Sequence, residues 1–161
     1  LKLIWFVLYL FSVASFAVEE GGHRKYLHVY TSCGETDFSV RFDIVNVSGH
    51  EFNISSEQLG VVGNSGIAFN LNTYNEEGVA IADIDLTERS GYVANAASKE
   101  INISPYGGFQ FEVDFIKRFN ISEKKSYRLH YAPLILHKNP DLEFFMSANY
   151  INIGKGGCSS M

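Results

Sequence analysis

The sequence predicts an all-β fold, a two-sheet antiparallel sandwich. Three observations predict it. Apolar and polar residues alternate with period two through several short runs. The chain carries 13 Phe and 9 Tyr, whose wide rings pack well on a pleated surface. No helical stripe of useful length follows the first segment. At 161 residues the chain has room for one core. A composition 46% hydrophobic and 19% charged argues against wholesale disorder. Net charge is -5 with no basic block, whereas a phosphate-binding surface needs clustered Lys and Arg, so nucleic acid is not an expected partner.

Taken in order, the chain begins with Lys2 and an apolar run over 3–16. Ser15-Phe16-Ala17 then offers small residues where a signal peptidase reads, and Glu19-Glu20 turns polar. Residues 1–17 therefore read as a secretory signal peptide, too short to span a bilayer, and no membrane span is expected. Because the first residue is Leu, the N-terminus is expected to be incomplete. The domain itself is expected over 18–153.

The first strand is expected at 26–32, with Leu27 and Val29 on one side and Tyr26, His28 and Tyr30 on the other. Phe38, Val40, Phe42 and Ile44 then alternate with Ser39, Arg41, Asp43 and Val45. A probable pair, 68–74 and 79–86, flanks the polar turn Asn75-Glu76-Glu77-Gly78. A short strand at 99–104 runs into the turn Pro105-Tyr106-Gly107-Gly108. Phe109, Phe111, Val113 and Phe115 alternate with Gln110, Glu112 and Asp114, and Tyr127, Leu129 and Tyr131 with Arg128 and His130. Segments 142–146 and 149–153 close the domain. About seven to nine short strands with regular turns read as an immunoglobulin-like sandwich, since a parallel α/β sheet would need intervening helices. Loops are expected at 60–66 and 90–98. The small, Gly-rich tail 154–161 reads as a linker or domain boundary.

Four sequons agree with export: Asn46-Val47-Ser48, Asn53-Ile54-Ser55, Asn102-Ile103-Ser104 and Asn120-Ile121-Ser122. Each can carry a glycan if it lies on the surface. Cys33 and Cys158 could pair in an oxidising compartment and tie the first strand to the last; spacing alone does not decide it.

No catalytic residue is singled out. His50-Glu51 opens a His-Glu-x-x-His zinc motif, but Asn53 and Ile54 follow without a second His, and the segment reads as strand or turn, a polar hairpin end. His23, His28, His50, His130 and His137 are scattered, so neither a metal site nor any cofactor is expected. Asp83 and Asp85 share one strand face and read as solvated, although paired carboxylates can also do acid–base work or hold a cation. There is no Gly-x-Ser-x-Gly elbow, and 60–66 lacks the ending of a phosphate loop.

Four stretches, 38–46, 101–115, 126–131 and 146–153, occur in an order that resembles the N-terminal immunoglobulin-like pro-domain of deuterolysin-like and peptidyl-Lys metalloendopeptidases. Gly156-Gly157-Cys158-Ser159-Ser160 is similar to the Gly-Cys-Ser start of the mature peptidase in that family. The resemblance implies a non-catalytic pro-domain that assists folding and keeps its own zinc peptidase domain latent, with only that domain's first residues present here. It implies processing within Gly154, Lys155, Gly156 and Gly157, and a Cys158 that pairs inside the mature domain. The alternative expectation is a free-standing secreted module that binds a protein ligand, as an adhesion domain or a protease inhibitor.

Overall fold

A computed structural model describes residues 25–62, 68–75, 77, 79–92, 99–133, 142–146 and 150–160. The segment 1–17, His23, His137 and most of the loops 60–66 and 90–98 lie outside the described residues. In chain order come β1 (Lys25–Cys33), β2 (Ser39–Asn46), β3 (Phe52–Ser55), β4 (Phe69–Tyr74), β5 (Ala80–Ile84), β6 (Glu100–Ile103), β7 (Gly108–Asp114), the helical turn α1 (Phe115–Arg118), β8 (Ser126–Tyr131), β9 (Leu142–Met146), β10 (Ile151–Gly154) and β11 (Ser159–Ser160).

These strands form a sandwich. One sheet has the order β7-β2-β1-β9, the other β11-β10-β8-β4-β5, and β3 pairs with β6 beside them. Every pairing is antiparallel except β1 with β9, which run parallel from Lys25 opposite Leu142 to Val29 opposite Met146. The sandwich is otherwise antiparallel, as expected. The chain reaches β9 from β8 in the opposite sheet, and such a crossover, unlike a hairpin, can deliver a strand in the same direction as its neighbour.

The alternation read from the sequence is what closes the core. Leu27, Val40, Phe42 and Ile44 from the first sheet and Leu71 from the second are all fully buried. Phe42 bridges the layers: its ring lies 4.9 Å from Phe111 in its own sheet and 4.7 Å from Tyr131 across the interior. Aromatic pairs in this separation range add about 0.5–1.5 kcal/mol beyond the area they bury. Tyr131 donates its hydroxyl to the Leu59 carbonyl at 2.8 Å, and burial holds that phenol far above its ordinary pKa. At the start of β8, Tyr127 donates to the Ser122 carbonyl (3.1 Å) and accepts from the Ser122 N–H (2.9 Å). This is the tyrosine-corner device of Greek-key sandwiches, which pins a crossing loop to the strand that follows it.

The segment after His50-Glu51, read as strand or turn, is the strand β3, whose Phe52 and Ile54 are buried against the core. One element departs from the sequence reading. The run expected to continue as a strand through Phe115 turns helical there. Asp114 caps that turn by accepting from the Lys117 N–H at 3.1 Å. The turn carries Phe115 and Phe119 into the core and aims Arg118 inward, where it is 1% exposed. Its Nε and one terminal nitrogen each stand 3.0 Å from Glu88 Oε1, and its other terminal nitrogen donates to the carbonyls of Gly60 (2.7 Å) and Val61 (3.2 Å). The buried charge therefore meets an acid and two carbonyls that would otherwise lack donors.

The expected linker is part of the domain. Gly154 donates to Asp37, Lys155 to Lys125 and Gly157 to the Gly154 carbonyl, and Ser159 and Ser160 then pair with β10. Gly154 takes φ +126°, and a Cβ there would run into the Lys125 carbonyl and stand 2.7 Å from Ser126 Cα, so a side chain cannot replace it. Cys33 and Cys158 are bonded, Cα to Cα 5.6 Å, tying the end of β1 to the strand closing the other sheet. This settles the pairing in favour of Cys33–Cys158. Next to it, the Glu35 N–H donates to Glu112 Oε1 at 3.0 Å, and Arg41 lies 3.4 Å from Oε2. The Glu35 N–H, helped by Ser39 and Arg41, holds the Glu112 carboxyl below its ordinary pKa.

Candidate binding face

The residues first singled out sit apart. Asn46 ends β2 and is fully buried. Its Nδ2 donates to the carbonyls of His50 (2.6 Å), Ser104 (2.9 Å) and Ile103 (3.4 Å), while its Oδ1 accepts from Ser48 N (2.9 Å) and Ser48 Oγ (2.8 Å). It fails the surface condition for a glycan; its amide instead supplies donors to a turn. Asn53 and Asn102 are exposed and directly opposed in the β3–β6 pair, and Asn120 is exposed after α1. Asp83 and Asp85 are both exposed. His28, on β1, and His130, on β8, belong to different sheets. Among the described residues no group of three or more His, Cys, Asp or Glu side chains gathers as a metal site would require. Cys33 is in the disulfide and is no nucleophile.

The arrangement with most chemical content is the outer face of the five-stranded sheet. In β4 the buried Phe69 and Leu71 alternate with Asn70 and Asn72, and in β8 the buried Tyr127, Leu129 and Tyr131 alternate with Ser126, Arg128 and His130. In β10 the buried Ile151 and Ile153 leave Asn152 on the opposite side. Register then lines these polar residues into one row. Asp83 stands opposite Asn72, Asn72 opposite Arg128, Arg128 opposite Asn152, and Asn152 opposite Ser159. The row crosses all five strands.

Arg128 lies in the middle, its guanidinium carbon 4.9 Å from the centroid of the Tyr74 ring and 5.7 Å from that of Tyr150. Both distances suit a cation–π contact. Tyr150 is 42% exposed and also meets the His130 ring at 5.6 Å. On either side of Arg128 a carboxamide oxygen, Asn72 Oδ1 and Asn152 Oδ1, is shielded from solvent without a hydrogen-bond partner. An orphaned acceptor of this kind costs about 1–3 kcal/mol.

Beside the row, next to Tyr74, a groove of about 510 Å³ is lined by Thr73, Tyr74, Ile81, Ala82, Lys125 and Ser126. Lys125, in the groove's lining, is exposed, and so is Lys155, whose backbone N–H donates to the Lys125 carbonyl at 3.2 Å. The arrangement can stack a flat or ring-shaped ligand and present the positive charges of Arg128 and Lys125 to it. It holds no poised nucleophile or acid–base pair.

Sequence reasoning saw Arg128 and His130 only as the polar half of an alternating strand. Asn72, Tyr74, Tyr150 and Asn152 carried no signal of their own, because only strand register makes them neighbours. No helix among the described residues is long and apolar enough to cross a membrane. The disulfide suits an oxidising compartment. No family model and no curated protein matches the chain.

Proposed function

We propose that the chain is a non-catalytic recognition module, exported to an oxidising compartment, that binds an acidic, hydroxyl-rich carbohydrate across the outer face of the five-stranded sheet. One observation carries this reading. Arg128 stands between two tyrosine rings, and Tyr150 is 42% exposed. Sugar rings offer apolar faces to aromatic side chains, and acidic groups on them suit a guanidinium. Lys125, lining the adjacent groove, adds attraction for carboxylate or sulfate groups on the sugar. Affinity electrophoresis in gels containing heparin, polygalacturonate or neutral dextran tests it. An acidic polymer should retard the protein where dextran does not. Arg128→Ala and Tyr150→Ala should each weaken that binding about tenfold, equal to about 1.4 kcal/mol. Tyr150 is half-exposed, so its variant keeps the fold, and a melting curve verifies this for both. Identical mobility in all three gels overturns the reading.

A second reading, the zymogen pro-domain implied by the sequence resemblance, is favoured by a different observation. Lys155 is exposed in a glycine-rich turn, where a protease could reach it once the backbone hydrogen bonds of Gly154, Lys155 and Gly157 open. The disulfide alters how such a pro-domain would work. A cut in Gly154–Gly157 would leave everything after Cys158 covalently held through Cys33. A peptidase that follows would stay at high effective concentration beside its inhibitor until the bond was reduced. Reading the gene beyond Met161 separates the two: a downstream His-Glu-x-x-His domain supports the pro-domain, and a stop supports the free module.

A further inference from the structure

The four sequons are equivalent as motifs and very unequal in their surroundings. We infer that the folded, exported protein is glycosylated at Asn53 and Asn120 and bare at Asn46 and Asn102. The inference rests on the export part of the reading above and is independent of the binding face.

A glycan replaces one hydrogen of an asparagine Nδ2 and needs open space beyond it. Asn46 has neither a spare hydrogen nor space. It is fully buried, and its Nδ2 serves three carbonyls. A chain modified there during synthesis would be unable to close the turn between β2 and β3 around it. Such molecules leave the folded pool.

Asn53 and Asn102 form a ladder. They are direct cross-strand partners on the exposed side of β3 and β6. Their Cβ atoms are therefore only about 5 Å apart, too close for two branched glycans to leave side by side. The hydrogen bonds decide between them. Asn102 Nδ2 is doubly engaged, donating to Glu51 Oε1 at 2.6 Å and to Asn53 Oδ1 at 2.9 Å. Asn53 Nδ2 makes one long contact, 3.4 Å, to the same Glu51 oxygen. A glycan on Asn53 forfeits that weak contact and leaves its Oδ1 free to accept from Asn102. A glycan on Asn102 disrupts the bracing of both strands. Asn53 also leaves the ribosome first, so its glycan is in place before Asn102 emerges. Asn120 is exposed, and among the described residues only its backbone N–H is engaged, to the Thr87 carbonyl at 2.9 Å.

The test is expression of the chain in a secretory eukaryotic host, enzymatic release of N-glycans in heavy-oxygen water, and peptide mass spectrometry. The isotopic mark is expected at Asn53 and Asn120. The double variant Asn53→Gln/Asn120→Gln should lose the whole gel shift on deglycosylation, whereas Asn102→Gln should leave it unchanged. A mark on Asn46 in secreted, folded protein overturns the inference. So does a secreted chain doubly marked at Asn53 and Asn102, or bare at Asn53. A bare chain retained in the cytosol overturns export itself, and the glycan assignment with it.

Discussion

Replacing both Cys33 and Cys158 with Ser removes a cross-link between residues 125 apart in sequence. In the chain-entropy description, closing a loop of that length lowers the freedom of the unfolded chain by an amount worth about 5 kcal/mol. Typical single-domain stabilities are about 5–15 kcal/mol, so a third or more of the total could go with this one bond. The disulfide also has a local role. β11 holds only two residues, paired through Ile151–Ser160 and Asn152–Ser159, too few to stay docked unaided. For a domain of this size the combined loss corresponds to a melting temperature lower by roughly 15 °C. The assay is thermal unfolding followed by circular dichroism, with oxidised wild type, reduced wild type and the double Ser variant at equal concentration. The far-UV spectrum of the variant at low temperature should stay that of a β protein, because the lost term resides mostly in the unfolded chain. Melting within about 2 °C of the oxidised protein would refute the reasoning. It would mean that the two cysteines are not bonded or that the unfolded chain is already compact.

Three further changes probe single contacts. Arg118→Met leaves Glu88 and the Gly60 and Val61 carbonyls without their donor, and urea unfolding should register a loss of about 3–5 kcal/mol. Tyr127→Phe removes only the hydroxyl that serves both backbone groups of Ser122, for a loss of about 1–2 kcal/mol in the same assay. Glu112 is held at a lower pKa folded than unfolded. Its contribution is therefore complete above the unfolded value and disappears as pH falls through the folded value. Glu112→Gln should flatten that part of the acid limb in a pH series of melting temperatures, and an unchanged limb would assign the acid sensitivity to other carboxylates.

How much could be read in advance depended on how local the cause was. The runs containing Phe42, Phe111 and Leu129 were legible because strand alternation is a property of adjacent residues, and each of these side chains is buried as its position in the run requires. At β3 the apolar pair is too short to separate strand from turn, and α1 is not legible because the Asp114 cap turns the chain where the alternation continues through Phe115. The candidate face was barely legible. Its asparagines look like ordinary polar strand residues until three separate registers bring Asn72, Arg128 and Asn152 together.

By itself, then, the sequence determined the class of fold, most strands and which side of each strand meets the core, since all of these follow from neighbouring side chains. Tertiary structure alone decided that Asn46 lies inside while Asn53 lies outside, that the glycine-rich tail joins a sheet, and that Arg128 stands between Tyr74 and Tyr150. Each of those outcomes depends on which distant strand becomes a neighbour and in what register. Pairings between remote segments are chosen by the packing of the whole core, so no local window of residues carries them.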